Sequence, residues 1–424
     1  MPRKSTTTRT KAKTDTKTTT KTSRRRKKSS ASSECTITAA PKGLLANLNL
    51  LSSAISSNVE AKDRLTIEIV KGQGRFIAGR DLRLVIPFSA SSIIDGKVSI
   101  GCRQLKSLTA TLDPKSHSLT LLEDKLVITN SKQTYRTELP VYDEELAPIQ
   151  TEYTEIAKID GKKFSSILSA IFSFADSDNK KITSGILLEL NSEQQPQLLL
   201  TGASEAAIAR GSLNVVEVES NDNLNLDELK LRVVVPKKAL QFVASNASSS
   251  SNLVLSVSED NSLVRFVWGK SVECTVATLK GDYPNIDPIL EAAEDNDLSL
   301  KFNRDELLAA VKRSQVMSAD LTFKIEGDVC QLSHANSTSS SAENIYCAWD
   351  DSSSPLKLDF NTDILRKTIE AQGQEVVELA IDSEADPQSP SRVLLDCDEL
   401  KFLIVQQIDE EEAEEEEEEE ETEI

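Results

Sequence analysis

The 424-residue chain has few of the side chains that carry out chemistry. It has two histidines, His117 and His334, and six scattered cysteines, Cys35, Cys102, Cys274, Cys330, Cys347 and Cys397, with no C-x-x-C pair among them. That spacing supports neither a zinc site nor a disulfide framework, and leaves buried free thiols and two surface histidines as the expectation. Aromatic residues make up 4% of the chain, too few for the stacking platforms that read single-stranded bases. No apolar run approaches the roughly 18 residues that cross a bilayer. The glycines of "KGQGRFIAG", at 72, 74 and 79, miss the G-x-G-x-x-G spacing, and no P-loop, G-x-S-x-G or paired-histidine motif occurs. The chain therefore reads as a non-enzyme that needs no metal or cofactor and has no membrane partner. A soluble cytoplasmic protein is expected, although the Ser/Thr/Arg-rich start leaves an organelle transit segment open.

What is abundant is negative charge, and it is unevenly placed. The formal net charge is -19. Residues 1–30 hold twelve Lys or Arg against one Asp, and residues 409–424 hold thirteen carboxylates and no cation. Neither end has apolar side chains enough to offset the entropy of ordering, so residues 1–33 are expected to be a disordered basic tail and 409–424 a disordered acidic one. The stretch between the two charged ends, residues 31–407, is itself acidic, with 54 acidic and 37 basic side chains.

Period-two apolar patterns dominate that stretch, as in "RLTIEIV", "GILLEL", "NLVLSV" and "LTFKI", which is the mark of half-buried strands. Six short helical patterns interrupt them. The order is a strand, a helix, about three strands, then a second strand running straight into a second helix, and more strands. This cycle occurs three times, opening at "CTITAAPKGLL", "AKIDGKKFSSIL" and "LSLKFNRDELLAAV". A period of about 120 residues repeated three times means three copies of one domain, each a doubled half. The expected limits are 34–149, 150–294 and 295–408.

Four of the six helical stretches, 41–57, 102–112, 162–175 and 237–251, contain no Asp or Glu, although their share of the acids would be about eight. They hold Lys42, Arg103, Lys106, Lys162, Lys163, Lys237 and Lys238 instead. The remaining two add Arg304, Lys312, Arg313, Arg366 and Lys367, with acids among them. Lys237 and Lys238 sit in the first turn of their helix, where cations oppose the macrodipole. Six equivalent helices on one surface would line an acidic body with a neutral-to-basic wall suited to a polyanion. Sparse lysines alone hold phosphate weakly and without sequence preference, so retention would have to be topological.

From about Glu34 to Ile408 the chain resembles the bacterial DNA polymerase III beta sliding clamp family. The resemblance is carried by "FSSILSAIFSFADSDNKKITSGILLEL", "VVVPKKALQFV" and "KGDYPNI" in the middle copy, and by "KFNRDELLAAVKRSQVMS" and "DFNTDILRKTIEA" in the third. It implies an α+β fold of three tandem clamp domains, each with two helices packed on antiparallel sheets. It further implies a homodimeric ring around double-stranded DNA, held without sequence preference by the twelve cations above, and acting as a processivity factor. Interface positions implied by the family are Tyr135, Thr137, Val316 and Met317. A pocket for peptides of DNA polymerase and clamp loader subunits would be formed by Thr183, Ala203, Ala206, Ala207, Ile208, Pro284, Pro288, Ile289, Asn361, Ile364, Leu403, Val405, Gln406 and Gln407. The chain departs from the family there, with Ala203-Ser204-Glu205-Ala206-Ala207-Ile208 and Val405-Gln406-Gln407 in place of the usual segments. A non-enzymatic acidic scaffold or histone-chaperone-like protein is the alternative, and DNA topology separates the two: a ring is retained on circles, a chaperone is not.

Overall fold

A computed structural model of the chain describes residues 35–39, 41–56, 63–89, 95–112, 117–121, 125–130, 132, 134–143, 146–191, 195–216, 231–335, 340–349, 355–382, 392–397 and 399–406. Both charged tails lie outside the described residues, as do the side chains of Cys35, Lys42 and His117 and all of Gln407.

The described elements repeat three times. The first set is β1 Cys35–Ala39, α1 Pro41–Ser56, β2 Leu65–Val70, β3 Gln73–Ala78, β4 Leu82–Ser89, β5 Gly96–Ile100, α2 Cys102–Ala110, β6 His117–Leu121, β7 Lys125–Asn130 and β8 Arg136–Pro140. The second is β9 Tyr153–Ile159, α3 Gly161–Ile171, β10 Gly185–Asn191, β11 Gln197–Ala203, β12 Ala207–Asn214, β13 Arg232–Pro236, α4 Lys237–Ala247, β14 Leu253–Ser258, β15 Leu263–Trp268 and β16 Val272–Ala277. After a connecting helix, α5 Asp287–Glu294, the third runs β17 Leu298–Asn303, α6 Arg304–Gln315, β18 Asp320–Glu326, β19 Val329–Ala335, β20 Ser340–Tyr346, a two-residue strand β21 Ala348–Trp349, β22 Leu356–Asn361, α7 Thr362–Ala371, β23 Val376–Ile381, β24 Arg392–Cys397 and β25 Leu400–Val405.

All strand pairs are antiparallel. Within each repeat the strand that leads into one helix joins the sheet of the other half. Thus β1 pairs with β6, and β5 pairs with β2. The sheets also run across the repeats. β4 pairs with β16, with Leu84 opposite Cys274, and β12 pairs with β25, with Ala209 opposite Phe402. The result is four sheets, of four, nine, eight and four strands. In the order of pairing, β8 ends one four-stranded sheet and β20 ends the other, and no described strand lies beyond either.

Period two sets the faces. In the nine-stranded sheet Ile186, Leu188, Leu198, Leu200, Ala209, Phe402 and Ile404 join the large core shared by α1–α4, α6 and α7, while Leu187, Ala203, Ile208, Leu394 and Leu403 join a separate cluster under α5. One continuous apolar layer therefore serves six helices in three repeats, and α5 alone caps the opposite face. Close approach demands glycine at several points, Gly202 among them: a methyl there would lie 2.7 Å from Ile171 Cγ2 and 3.0 Å from the Ile171 carbonyl oxygen. The first "KGQG" glycine serves a turn, since Lys71 and Gly72 both have positive φ (51° and 79°) between β2 and β3, the geometry of a two-residue hairpin.

Four expectations need correcting. α5 makes seven helices among the described residues where six were read. It is one short charged stretch in which only Leu290 and Ala293 are buried, too few positions for a period to register. α3 and α4 stop at Ile171 and Ala247, before Ala175 and Ser251. After α4 the serines bond locally instead, as when Ser250 Oγ donates to the Asn252 carbonyl at 2.7 Å. His334 is no surface histidine: it is 5% exposed in β19, its Nδ1 lies 3.0 Å from Ser341 Oγ, and its Nε2 has no hydrogen-bond partner among the described residues. Its strand turns alternate residues to the core, and 334 is on the inward side with Cys330 and Leu332.

Gly202→Ala is expected to destabilise the fold by about 1–3 kcal/mol through overpacking against Ile171. Urea unfolding will read this as a lower midpoint at unchanged m. An unmoved midpoint would show that α3 is free to shift away.

Candidate nucleic-acid interface

The helices that carry the candidate cations start in different ways. The Asp160 carboxylate accepts from the Lys163 N–H at 2.8 Å and caps α3, Asn303 caps α6, and Asn361 accepts from the Asp363 and Ile364 N–H groups at 3.1 Å to cap α7. α2 follows Gly101, and the Asp63 carboxylate, brought in from outside the repeat's second half, accepts from the Arg103 N–H at 3.1 Å. α4 differs. Its N-cap is Pro236, no side chain caps it, and Lys237 and Lys238 occupy its first turn. The orphan N–H groups and the two ammonium groups point the same sign of charge at one place. Lys237 is half-buried, and both burial and the nearby Lys367 ammonium push its pKa down.

The twelve candidates divide by their partners. Among the described residues Arg103, Lys106, Lys162, Lys237 and Lys238 form no ion pair. Lys163 meets Glu399, a residue of the turn before β25, across the second and third repeats. In the third repeat every candidate is paired. Arg304 binds Asp305 at 3.2 Å and also donates to the Ile369 carbonyl at 3.3 Å, tying α6 to the end of α7. Lys312 meets Glu370 at 2.8 Å, Arg313 meets Glu343, Arg366 meets Asp363 at 2.9 Å and also Glu370, and Lys367 meets Asp363 at 2.5 Å. Sequence reading missed Glu399, Glu343 and Asp63, because each lies far along the chain from the cation or helix it serves. The i,i+3 and i,i+4 pairs within α7 were legible.

The carboxylates in α7 respond to these partners. Burial works against the ionised form of Asp363, yet the Lys367 and Arg366 hydrogen bonds and charges outweigh it and hold the carboxyl below its ordinary value. The Lys312 hydrogen bond is the main cause that lowers Glu370. Burial pushes the Cys102 and Cys347 thiols up to about 12, so neither is an activated nucleophile.

The pocket candidates fall in two places. Ala203, Ile208, Leu403 and Ile289 meet in the cluster beneath α5, with Leu187, Val234, Tyr283 and Leu394. Thr183 and Ala203 share one donor, the Asp176 N–H, which reaches their carbonyls at 3.0 and 3.2 Å, and Ala206 accepts from the Val405 N–H at 3.0 Å. Ala207 is buried, Pro284 and Pro288 are exposed, and Val405 and Gln406 are half-buried. Asn361 and Ile364 sit apart from that cluster, at the start of α7, where Ile364 packs on the large core. The replaced segment is acidic at its tip: Glu205 reaches Lys181 at 2.7 Å, and Lys181 also meets Asp176 at 3.2 Å.

Of the four interface candidates, Val316 and Met317 follow α6 and are 83% and 46% exposed. They are not packed in the core. Thr137 is half-buried in β8, and Tyr135 is half-buried just before it, its N–H bonded to Asn130 Oδ1 at 3.2 Å. Tyr346, at the end of β20, is 60% exposed.

Neither a family model nor a curated protein sequence matches the chain. Solved structures do. A DNA polymerase sliding clamp from Caulobacter crescentus aligns with a TM-score of 0.76 at 17% identity, over 88% of this chain and 100% of that one. The fold is that of the bacterial beta sliding clamp. The sliding clamp from Pseudomonas aeruginosa aligns at 0.74 and 16% identity, over 88% of this chain and 99% of its own. A Bartonella birtlesii clamp solved with griselimycin gives the same score and identity, over 89% of this chain and all of its own. No described helix is long and apolar enough to cross a membrane.

Asp363 and Glu370 ionise more readily folded than unfolded. Their stabilisation is complete above the ordinary values of 3.8 and 4.5 and is lost as pH falls through the lowered folded values. Asp363→Asn is expected to flatten the rise of stability with pH in that acid window, as read by thermal unfolding in a pH series. A slope equal to the wild type would show that other carboxyls carry it.

Proposed function

We propose that the chain is a DNA sliding clamp: two copies close head to tail into a ring around duplex DNA and tether replication proteins to it, without catalysing a reaction. The observation that carries this reading is the strand pairing between repeats. The last strand of a first half pairs with the last strand of the next repeat's second half, twice: β4 with β16, and β12 with β25. The same rule leaves one pair over, β20 and β8, and a second copy supplies each with its complement. Pairing also removes an exposed edge, which is an aggregation hazard in a monomer.

The internal pairs give the register as well. Counting along the ladders from the N-caps of the second helices (Gly101, Pro236, Asn361) makes Leu84, Ala209 and Ser341 equivalent. Counting from the strands before the first helices makes Cys274, Phe402 and Thr137 equivalent. Leu84 faces Cys274 and Ala209 faces Phe402, so Ser341 faces Thr137 of a second copy. Val316, Met317 and Tyr346, apolar and exposed beside β20, then become buried. Six helices from each copy line the hole, and the apolar cluster under α5 is the surface offered to partner peptides of polymerase and clamp loader.

Light scattering is expected to give about twice the 46.5 kDa chain mass, and Val316→Glu with Met317→Glu to give single chains of unchanged secondary structure. Protein loaded on a nicked circle is expected to stay through a low-salt wash and to leave when the circle is cut. A single-chain mass at micromolar concentration, or equal retention on linear and circular DNA, overturns the reading.

A further inference from the structure

The candidate wall is not evenly charged. The five cations without ion-pair partners among the described residues, Arg103, Lys106, Lys162, Lys237 and Lys238, all belong to α2, α3 and α4, in the first and second repeats. Every described carboxylate that neutralises a candidate cation belongs to the third repeat: Asp305, Glu343, Asp363, Glu370 and Glu399. Glu399 reaches out of its own repeat to take Lys163 on α3. At the junction Lys237 has Lys367 as a neighbour, but Lys367 is held by Asp363, which leaves the uncapped start of α4 as the positive end.

From this we infer that duplex DNA is held by phosphate contacts to α2, α3 and α4 of each copy, and that α6 and α7 form a neutral wall that the duplex passes without ion contact. The inference rests on the reading of the chain as a DNA-encircling ring and names the part of the hole that binds. Exposed ion pairs of this kind add little to stability, but they change what each cation offers to DNA. A cation already paired in the free protein must break that pair to bind phosphate, and it releases a counterion from the DNA while exposing a carboxylate. An unpaired lysine or arginine has no such opposing step, so the count of phosphate contacts follows the unpaired set. Glu399 acts as a positioning residue by withdrawing Lys163 from that set.

The test measures affinity for a short duplex over a salt series, using the full chain and variants whose dimer mass and thermal midpoint are first checked. Each phosphate contact contributes about 0.9 to the slope of log K against log salt. Lys162→Ala with Lys238→Ala removes four cations from a two-copy ring and is expected to reduce the slope by about three to four. Glu399→Gln frees Lys163 and is expected to tighten binding and steepen the slope by up to about two. Glu259→Gln makes the same change in net charge at the exposed turn between β14 and β15, outside all six helices, and is expected to leave the slope as it is. Lys312→Ala with Glu370→Ala deletes a third-repeat cation together with its carboxylate, and is expected to change the slope by less than about one.

Equal effects of Glu399→Gln and Glu259→Gln would mean that only net charge matters and would overturn the inference. So would a loss of slope in the third-repeat double variant as large as that in Lys162→Ala with Lys238→Ala. Failure of the wild-type chain to bind duplex or to stay on circles would sink the ring reading itself, which is a different outcome from either.

Discussion

The fold depends on what is done with strand edges. A last strand in each half-repeat presents a row of N–H and C=O groups that must find partners. The last strands of the first halves of the first and second repeats find them in the second half of the next repeat, and two half-sheets become one. That merging fixes a consequence for every other element: helices packed on one face of a half-sheet must lie on the same face as those of the half-sheet joined to it. Six helices thereby share one apolar layer. The α5 cluster is the other side of the same fact. A sheet whose two faces are both covered near the second junction has a second, smaller core, and it is built from the alternate residues of the same strands: Leu187 beside Ile186, Ala203 beside Gly202, and Leu403 beside Phe402 and Ile404.

Charge is organised by the same geometry. On the proposed ring reading, an acidic body keeps unrelated anions away, while a wall without acids admits the one that it encircles. The four acid-free helices meet that requirement by composition. The third repeat meets it by pairing, each cation on α6 and α7 being matched by a carboxylate within reach, so its surface is neutral without being bare of charge. The two solutions differ in their response to an incoming polyanion, since only the unpaired cations gain by meeting it. The uncapped start of α4 is the extreme case, where helix dipole, Lys237 and Lys238 reinforce one another against local stability.

Much of this was legible in the sequence because it is written in local periods. Strands with period two, helices with period near 3.6 and the threefold cycle of "strand into helix" gave the repeats, and the absence of acids marked the helices proposed as the wall. What was not legible depends on partners distant along the chain. Glu399 is 236 positions from Lys163, and nothing in either segment signals the other. Asp63 caps a helix from 40 residues away. The burial of His334 follows from strand phase once β19 is in register, but its surroundings read as a polar loop. Val316 and Met317 carry no local mark separating a residue exposed beside a free edge from a core residue.

Low identity and retained fold are reconciled by exchanges of volume at equivalent positions. Ala78, Gly202 and His334 occupy one place in the three ladders. The eleventh residue after the N-cap of the facing first helix is Leu51, Ile171 and Ser314 in turn. Leucine corresponds in position to alanine, isoleucine to glycine, where a methyl would meet Ile171, and serine to histidine. What is kept is the backbone pairing, which requires no particular residue, while side-chain size is exchanged across the layer. The three repeats have diverged from one another in this way within a single chain. The same freedom is consistent with a chain only 16–17% identical to bacterial clamps keeping their fold while no family model matches its sequence.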